Sequence, residues 1–244
     1  MQYPNIKHLY KYCAYNENSL FILKNRKIWL SNPAEFNDPF DCRYKFKDEV
    51  DRIEFEGYGN RYNPEKMAEL KSITANGKNE GIYNTIYTKL LNDVEEDLKN
   101  TGVFCLSHHN DNILMWSHYS DKHKGFCIEF ERSPDNNLGK YAYPVKYVPF
   151  KYKKITAFSS KAFEMKFLTK AYDLKYEGEW RLIEEAGQNK TIDFPGSITA
   201  IIFGLRMPDD QRETIKEILS GLSHIKYYKA EELPDQYKIR ITEE

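Results

Sequence analysis

The sequence predicts an α+β fold, with a mixed and mostly antiparallel sheet, open to a split, flanked by helices. Three observations predict it. Short apolar and aromatic runs suited to strands outnumber the helical segments. They follow one another with few helices between them, whereas a doubly wound parallel sheet alternates strand and helix. A chain of 244 residues also buries roughly 70% of its unfolded surface, enough for one sizeable core. We therefore expect a single domain over 1–244, with a helical insertion or lid at about 43–101.

The elements follow in order. His8 to Tyr12 alternates residue types as a short strand does. Asn16 or Asn18 then caps a helix running to about Asn25, with Leu20, Phe21 and Leu23 on its apolar side. Lys27 to Ser31 is a second strand, closed by Asn32-Pro33 and the polar loop Phe36-Asn37-Asp38-Pro39-Phe40-Asp41. Residues 43–101 are charged and poor in branched aliphatics, and glycine and proline punctuate helices near 64–74 and 82–99. Strand character returns at Val103 in VFCLSHH, then at 125–131, 142–148, 179–185 and 198–204. Helices are expected at 158–170 and 209–221, the second with Asp209 and Asp210 in its first turn, where negative charge suits the helix dipole. HIKYYKAE and YKIRITE close the chain as two further strands.

Composition narrows the classes. The 36 basic and 37 acidic residues nearly cancel, which argues against a globally basic nucleic-acid binder. The 15% aromatic content argues against disorder. No stretch reaches bilayer-spanning length, and MQYPNIKHLYKYC lacks the apolar centre of a signal peptide, so a soluble cytoplasmic protein is expected, without membrane contact. Cys13, Cys42, Cys105 and Cys127 form no CxxC pair and read as buried thiols, and no zinc pattern is present. The balance of charge is nevertheless local. Residues 35–56 hold eight carboxylates against four basic residues, while 140–175 holds nine lysines against Glu164 and Asp173.

Three clusters carry chemistry. The loop at 36–41 sets an amide and two carboxylates around Pro39, with Pro33 ahead of it, and the prolines stiffen it. The run from Met115 to Cys127 gathers Trp116, His118, Tyr119, Asp121 and His123 in a turn that feeds an apolar strand, and suits hydrogen bonding or stacking in a ligand pocket. In Tyr176-Glu177-Gly178-Glu179-Trp180-Arg181, strand alternation puts Glu179 and Arg181 on one face and Trp180 with Leu182 on the other. A carboxylate so placed can stabilise a developing cation. The lysines of 140–175, among them Lys146, Lys151, Lys153 and Lys154, are interleaved with Tyr and Phe rings and read either as a solvated face or as a stacking surface for nucleic acid.

These motifs resemble a bacterial family of unknown function. LYKY at 9–12, KIWLSNPAEFNDPFDC at 27–42, ILMWSHYSDKHKGFCIEF at 113–130 and YEGEWRLI at 176–183 carry the resemblance, which departs at Cys13, where arginine is usual. More distantly, the order of elements is similar to the ADP-ribosyltransferase superfamily, notably nucleic-acid-modifying toxins related to DarT. That resemblance implies a split sheet holding NAD without a Gly-rich loop, and a toxin or phage-defence setting. It implies Glu179 as the catalytic acidic residue, with Tyr12 and His118 as further catalytic residues. Lys11 or Tyr12 would meet the nicotinamide ribose side, Ser31, Asn37 and Asp38 would border the pocket, His118 and Tyr119 would line it, and Arg181 would bond a phosphate or hold Glu179. Two other readings stand beside it: a metal-dependent nuclease using Asp38 or Asp41 with Glu179 and Arg181, and a non-catalytic module binding nucleic acid through the basic span.

Overall fold

The computed structural model of the protein describes residues 2–42, 45–46, 52–62, 64–74, 80–149, 154–155 and 162–244. The strands are β1 (His8–Cys13), β2 (Lys27–Leu30), β3 (Lys45–Phe46), β4 (Gly102–Ser107), β5 (Phe126–Glu131), β6 (Ala142–Pro144), β7 (Lys146–Val148), β8 (Lys154–Ile155), β9 (Thr169–Ala171), β10 (Glu179–Glu184), β11 (Lys190–Asp193), β12 (Ile198–Phe203), β13 (Lys226–Glu232) and β14 (Ile239–Glu243). The helices are α1 (Glu17–Asn25), α2 (Arg52–Tyr62), α3 (Pro64–Thr74), α4 (Glu80–Lys99), α5 (Ile113–Tyr119), α6 (Asn137–Tyr141), α7 (Ala162–Phe167) and α8 (Asp209–Leu219).

Eight strands form one open sheet in the order β14-β13-β12-β5-β1-β4-β10-β6. Its pairings are antiparallel except β12–β13, which run parallel with α8 crossing between them. This is the expected α+β class. Along β1 and β5 six residue pairs are in register, from His8↔Glu131 to Cys13↔Phe126, and six join β4 to β10. Between β1 and β4 only Tyr10↔Ser107 pair. The sheet thus parts at its centre.

Leu9, Ile28, Leu30, Phe104, Leu106, Phe126, Phe130, Leu182, Ile201 and Phe203 are buried in one core, joined by Ile215 and Leu219 from α8. Burying a side chain of this kind contributes about 1.5–3 kcal/mol. Helix α1 begins with a reciprocal cap: the Asn16 side chain accepts from the Ser19 amide at 2.9 Å and the Ser19 hydroxyl accepts from the Asn16 amide at 3.1 Å. The cap is therefore Asn16 and not Asn18. The helices expected near 64–74 and 82–99 are α3 and α4, with α2 in addition, and Phe55, Met67 and Leu70 make a small cluster there against Ile82 and Ile86. Among the described residues no helix is long and apolar enough to cross a membrane.

Three local expectations change. The run Ile113–Tyr119 is a helix and not a turn: Asn112 accepts from the amides of Leu114 and Met115, and seven residues are too few to show a helical period. The single strand expected at 142–148 is two, because β6 pairs with β10 while β7 pairs in parallel with β9. The helix expected at 158–170 spans 162–167 and gives way to β9; its first four residues lie outside the described ones.

The turn from α5 into β5 explains the SDKHKG run. Asp121, Lys122 and His123 all adopt left-handed conformations, with φ of 46°, 54° and 68°, against a preference of roughly 1–2 kcal/mol per residue. The Gly125 amide bonds the Ser120 carbonyl and the Arg206 amide bonds that of His123, which holds the turn. Any Cβ on Gly125 would lie 2.0 Å from the Cys13 carbonyl oxygen, so this position admits only glycine.

Candidate functional site

A cavity of about 340 Å³ opens where β1 and β4 part. Tyr10, Lys11 and Tyr12 come to it from β1, Cys105 and Ser107 from β4, Phe36, Asn37, Asp38 and Asp41 from the polar loop, and Tyr119 from α5. Lys170, Glu177 and Glu179 complete the wall, and Ser31 lies at the end of β2. Its volume falls at the lower end of the range for small-molecule sites.

The wall is built on strand alternation. Glu179 pairs with Ser107 and Arg181 with Cys105, so both side chains rise on one face, as the sequence predicts. They do not face solvent. The Arg181 guanidinium is fully buried and all of its N–H donors have acceptors. Nε donates to Glu179 Oε1 at 2.7 Å, and Nη2 donates to Asp41 Oδ2 at 2.7 Å and Glu179 Oε2 at 3.0 Å. Nη1 donates to the Phe167 carbonyl at 2.9 Å and meets Cys42 Sγ at 3.2 Å. Lys170 Nζ adds contacts to Glu179 at 3.0 Å, to Asp41 at 3.2 Å and to Glu177. Three carboxylates thus share two cations away from water.

The two glutamates are pulled apart. Burial alone would raise Glu179, but the charges of Arg181 and Lys170 outweigh it and hold the carboxyl down at about 2. Burial raises Glu177, against the opposing pull of Lys170. The Tyr119 hydroxyl donates to Glu177 Oε1 at 2.8 Å. For Lys170 burial favours the neutral amine, yet Glu179, Asp41 and Glu177 together keep it ionised well above the usual lysine range. Such opposed neighbours are how one site holds one carboxylate as a fixed charge and another nearer to exchange.

Residues 107–109 clamp this segment. Ser107 Oγ donates to the Glu177 carbonyl at 2.6 Å, the His108 amide donates to the Gly178 carbonyl at 3.1 Å, and the Tyr12 hydroxyl donates to the His109 carbonyl at 2.8 Å. Gly178 has φ of 51°, and a Cβ there would lie 2.5 Å from the His109 ring and 2.6 Å from that of His108. Gly178→Ala should therefore lower stability by more than the roughly 1–2 kcal/mol of the left-handed backbone alone, read by urea denaturation. A change below that value would mean the imidazoles move aside freely.

Of the residues singled out in the sequence, Lys11, Tyr12, Ser31, Asn37, Asp38, Tyr119 and Glu179 converge on this cavity. The Lys11 ammonium donates to the Cys105 carbonyl at 3.1 Å and lies over the Phe104 ring. His118 stands apart: it is exposed beside the Tyr176 ring and is not among the lining residues, because α5 turns Tyr119 inward instead. Arg181 is enclosed behind the carboxylates, so of its two expected roles the geometry supports holding Glu179 and not meeting a phosphate. The basic span is not one surface. Lys146 on β7 and Lys154 on β8 are exposed, but Lys166 and Lys170 are buried, and Lys151 and Lys153 lie outside the described residues.

Lys170 was not legible as a site residue, since a count of charge along 140–175 cannot tell a buried lysine from a solvated one. Its apolar predecessors Phe167 and Leu168 were the available signal. Asp41 and Glu177 stood in noted motifs, and their burial against Arg181 and Lys170 is what the structure adds. With their oxygens so engaged, a metal at Asp41 and Glu179 would have to displace two cations, which weighs against the nuclease reading. Among the described residues no group of three or more His, Cys, Asp or Glu side chains is arranged to hold a metal ion.

Fold and site together define an α+β protein with a buried carboxylate cluster in a parted sheet. Residues 115–182 match the family model described as a protein of unknown function (DUF2971), a span running from α5 through most of β10. No curated protein and no solved structure matches the chain.

Proposed function

We propose that the cavity binds NAD and that the protein transfers ADP-ribose from it to a nucleic-acid or protein acceptor. One observation carries the reading: Glu179, kept ionised and rigidly held, stands at the wall of a cavity formed where the sheet parts between β1 and β4. In this reaction the bond from ribose C1′ to the nicotinamide nitrogen breaks and its electron pair leaves with nicotinamide. The ribose passes through an oxocarbenium-like state, which a fixed carboxylate stabilises. The acceptor oxygen or nitrogen then bonds C1′ and gives up its proton. Glu177, more basic than an ordinary glutamate and bonded to Tyr119, is the carboxylate placed to take it. Tyr12 and Lys11 border the ribose side, while Ser31, Asn37 and Asp38 frame the opening. Lys146, Lys151, Lys153 and Lys154 remain the proposed contacts to a nucleic-acid acceptor, and a toxin or phage-defence role belongs to the same proposal.

Nicotinamide release from NAD, followed with single-stranded DNA, RNA and protein extracts as acceptors, tests this. Glu179→Gln should retain its circular dichroism spectrum and lose about 10²–10³-fold in rate, the usual scale for removing an electrostatic stabiliser. Failure of the wild-type protein to bind or consume NAD with any acceptor would sink the proposal, as would equal rates in the two proteins.

A further inference from the structure

A second cavity of about 340 Å³ lies beside the N-terminal segment, bordered by Tyr3, Arg132, Lys140, Tyr141 and Tyr143. Trp180 links it to the first: its sequence neighbours Glu179 and Arg181 serve the carboxylate cluster, while its own ring meets Tyr3 edge-on at 5.5 Å and carries the Arg132 guanidinium at 4.6 Å. We propose that this second cavity binds a nucleoside phosphate, either free or as the terminal nucleotide of a single strand.

Arg132 supplies the anion-binding half of the site. Its side chain is buried, and burial lowers its affinity for the proton. Nη1 and Nη2 donate to the carbonyls of Tyr3, Ile6 and Gln2 at 2.8–3.2 Å, but Nε–H is enclosed without a partner. Among the described residues no carboxylate pairs with it. Carbonyl dipoles orient the guanidinium without cancelling its charge, and a buried cation without a counter-ion is costly. Lys140 adds a second positive charge at the rim, bonded to the Asp135 carbonyl at 3.0 Å. Together they place two positive charges at a concave surface, which a phosphate neutralises.

The aromatic half rests on the rim. Tyr3, Tyr141 and Tyr143 are 50%, 55% and 38% exposed, so three partly exposed rings border the cavity beside the two cations. Stacking a base on such a ring contributes about 1–3 kcal/mol, and every base has a face to stack. A flat ring joined to a phosphate meets both features at once, whereas inorganic phosphate or a free nucleoside meets one.

Calorimetric titration of the full chain with AMP, adenosine, inorganic phosphate and a 5′-phosphorylated oligothymidylate tests the site. AMP should bind and weaken with added salt, and adenosine and phosphate should each bind at least tenfold more weakly. The exposed pair Lys140→Ala with Tyr143→Ala should weaken AMP at least tenfold, and Arg132→Gln should do the same where it folds. The Lys140 and Tyr143 substitutions should leave nicotinamide release from NAD unchanged, which separates this site from the first cavity and lets either proposal fail alone. Tighter binding of the oligonucleotide than of AMP assigns the ligand to a nucleic acid, and equal or weaker binding assigns it to a free nucleotide. No AMP binding, binding indifferent to the Lys140 and Tyr143 substitutions, or phosphate binding as tightly as AMP would overturn the proposal.

Discussion

Arg181→Ala is expected to lower the thermal midpoint by roughly 10 °C, the largest effect of any single substitution at the site. The reason is what remains behind. Asp41 and Glu179 both bond this guanidinium and both are buried, so its removal leaves them to share Lys170 with Glu177, three carboxylates on one cation. Breaking a buried ionic network in this way costs about 3–5 kcal/mol, far more than an exposed pair contributes. Arg181→Lys should fall between, because one ammonium cannot reproduce the planar fork that spans Asp41, Glu179, Phe167 and Cys42 at once. Differential scanning calorimetry of the three proteins checks the order. A loss in Arg181→Ala below about 1 kcal/mol would mean that water replaces the guanidinium and that the cluster is not closed.

The second large effect is on acid stability. Glu179 titrates at about 2 in the folded protein against a reference of 4.5, so folding favours its ionised form. Its contribution is present above pH 4.5 and is lost as the pH falls towards 2. By linkage it is worth about 3 kcal/mol. Glu177 works in the opposite sense: its raised folded value makes its contribution full below 4.5 and lost as the pH rises through that value. Urea denaturation at pH 7, 4, 3 and 2 should show wild type and Glu179→Gln converging towards the lowest pH, while Glu177→Gln keeps the acid slope. Parallel curves for wild type and Glu179→Gln would show that Glu179 is not the group being titrated.

The site was partly legible because alternation along Glu179-Trp180-Arg181 is local and a strand fixes it. Alternation likewise made His8 to Tyr12 a strand, the resemblance put Tyr12 at the pocket, and β1 does bring it to the cavity. What stayed hidden is non-local. Asp41 bonds a residue 140 positions later in the chain, from a loop that no periodicity describes. Lys170 lay in a lysine-rich span whose net charge suggested solvent, while its environment is three carboxylates. The short helix α5 depends on one asparagine cap, and without it the side of the turn on which Tyr119 and His118 fall cannot be chosen from the sequence.

The single registered pair between β1 and β4 has a mechanical meaning. Two well-laced plates, β14 to β1 on one side and β4 to β6 on the other, meet along a seam stitched at Tyr10 and Ser107. Beyond that pair the two sides are joined by side chains, Lys11 to the Cys105 carbonyl and Tyr12 to the His109 carbonyl, and by the core they share. Glu179 rides on one plate and Tyr12 on the other, so the cavity wall is complete only where the two plates meet.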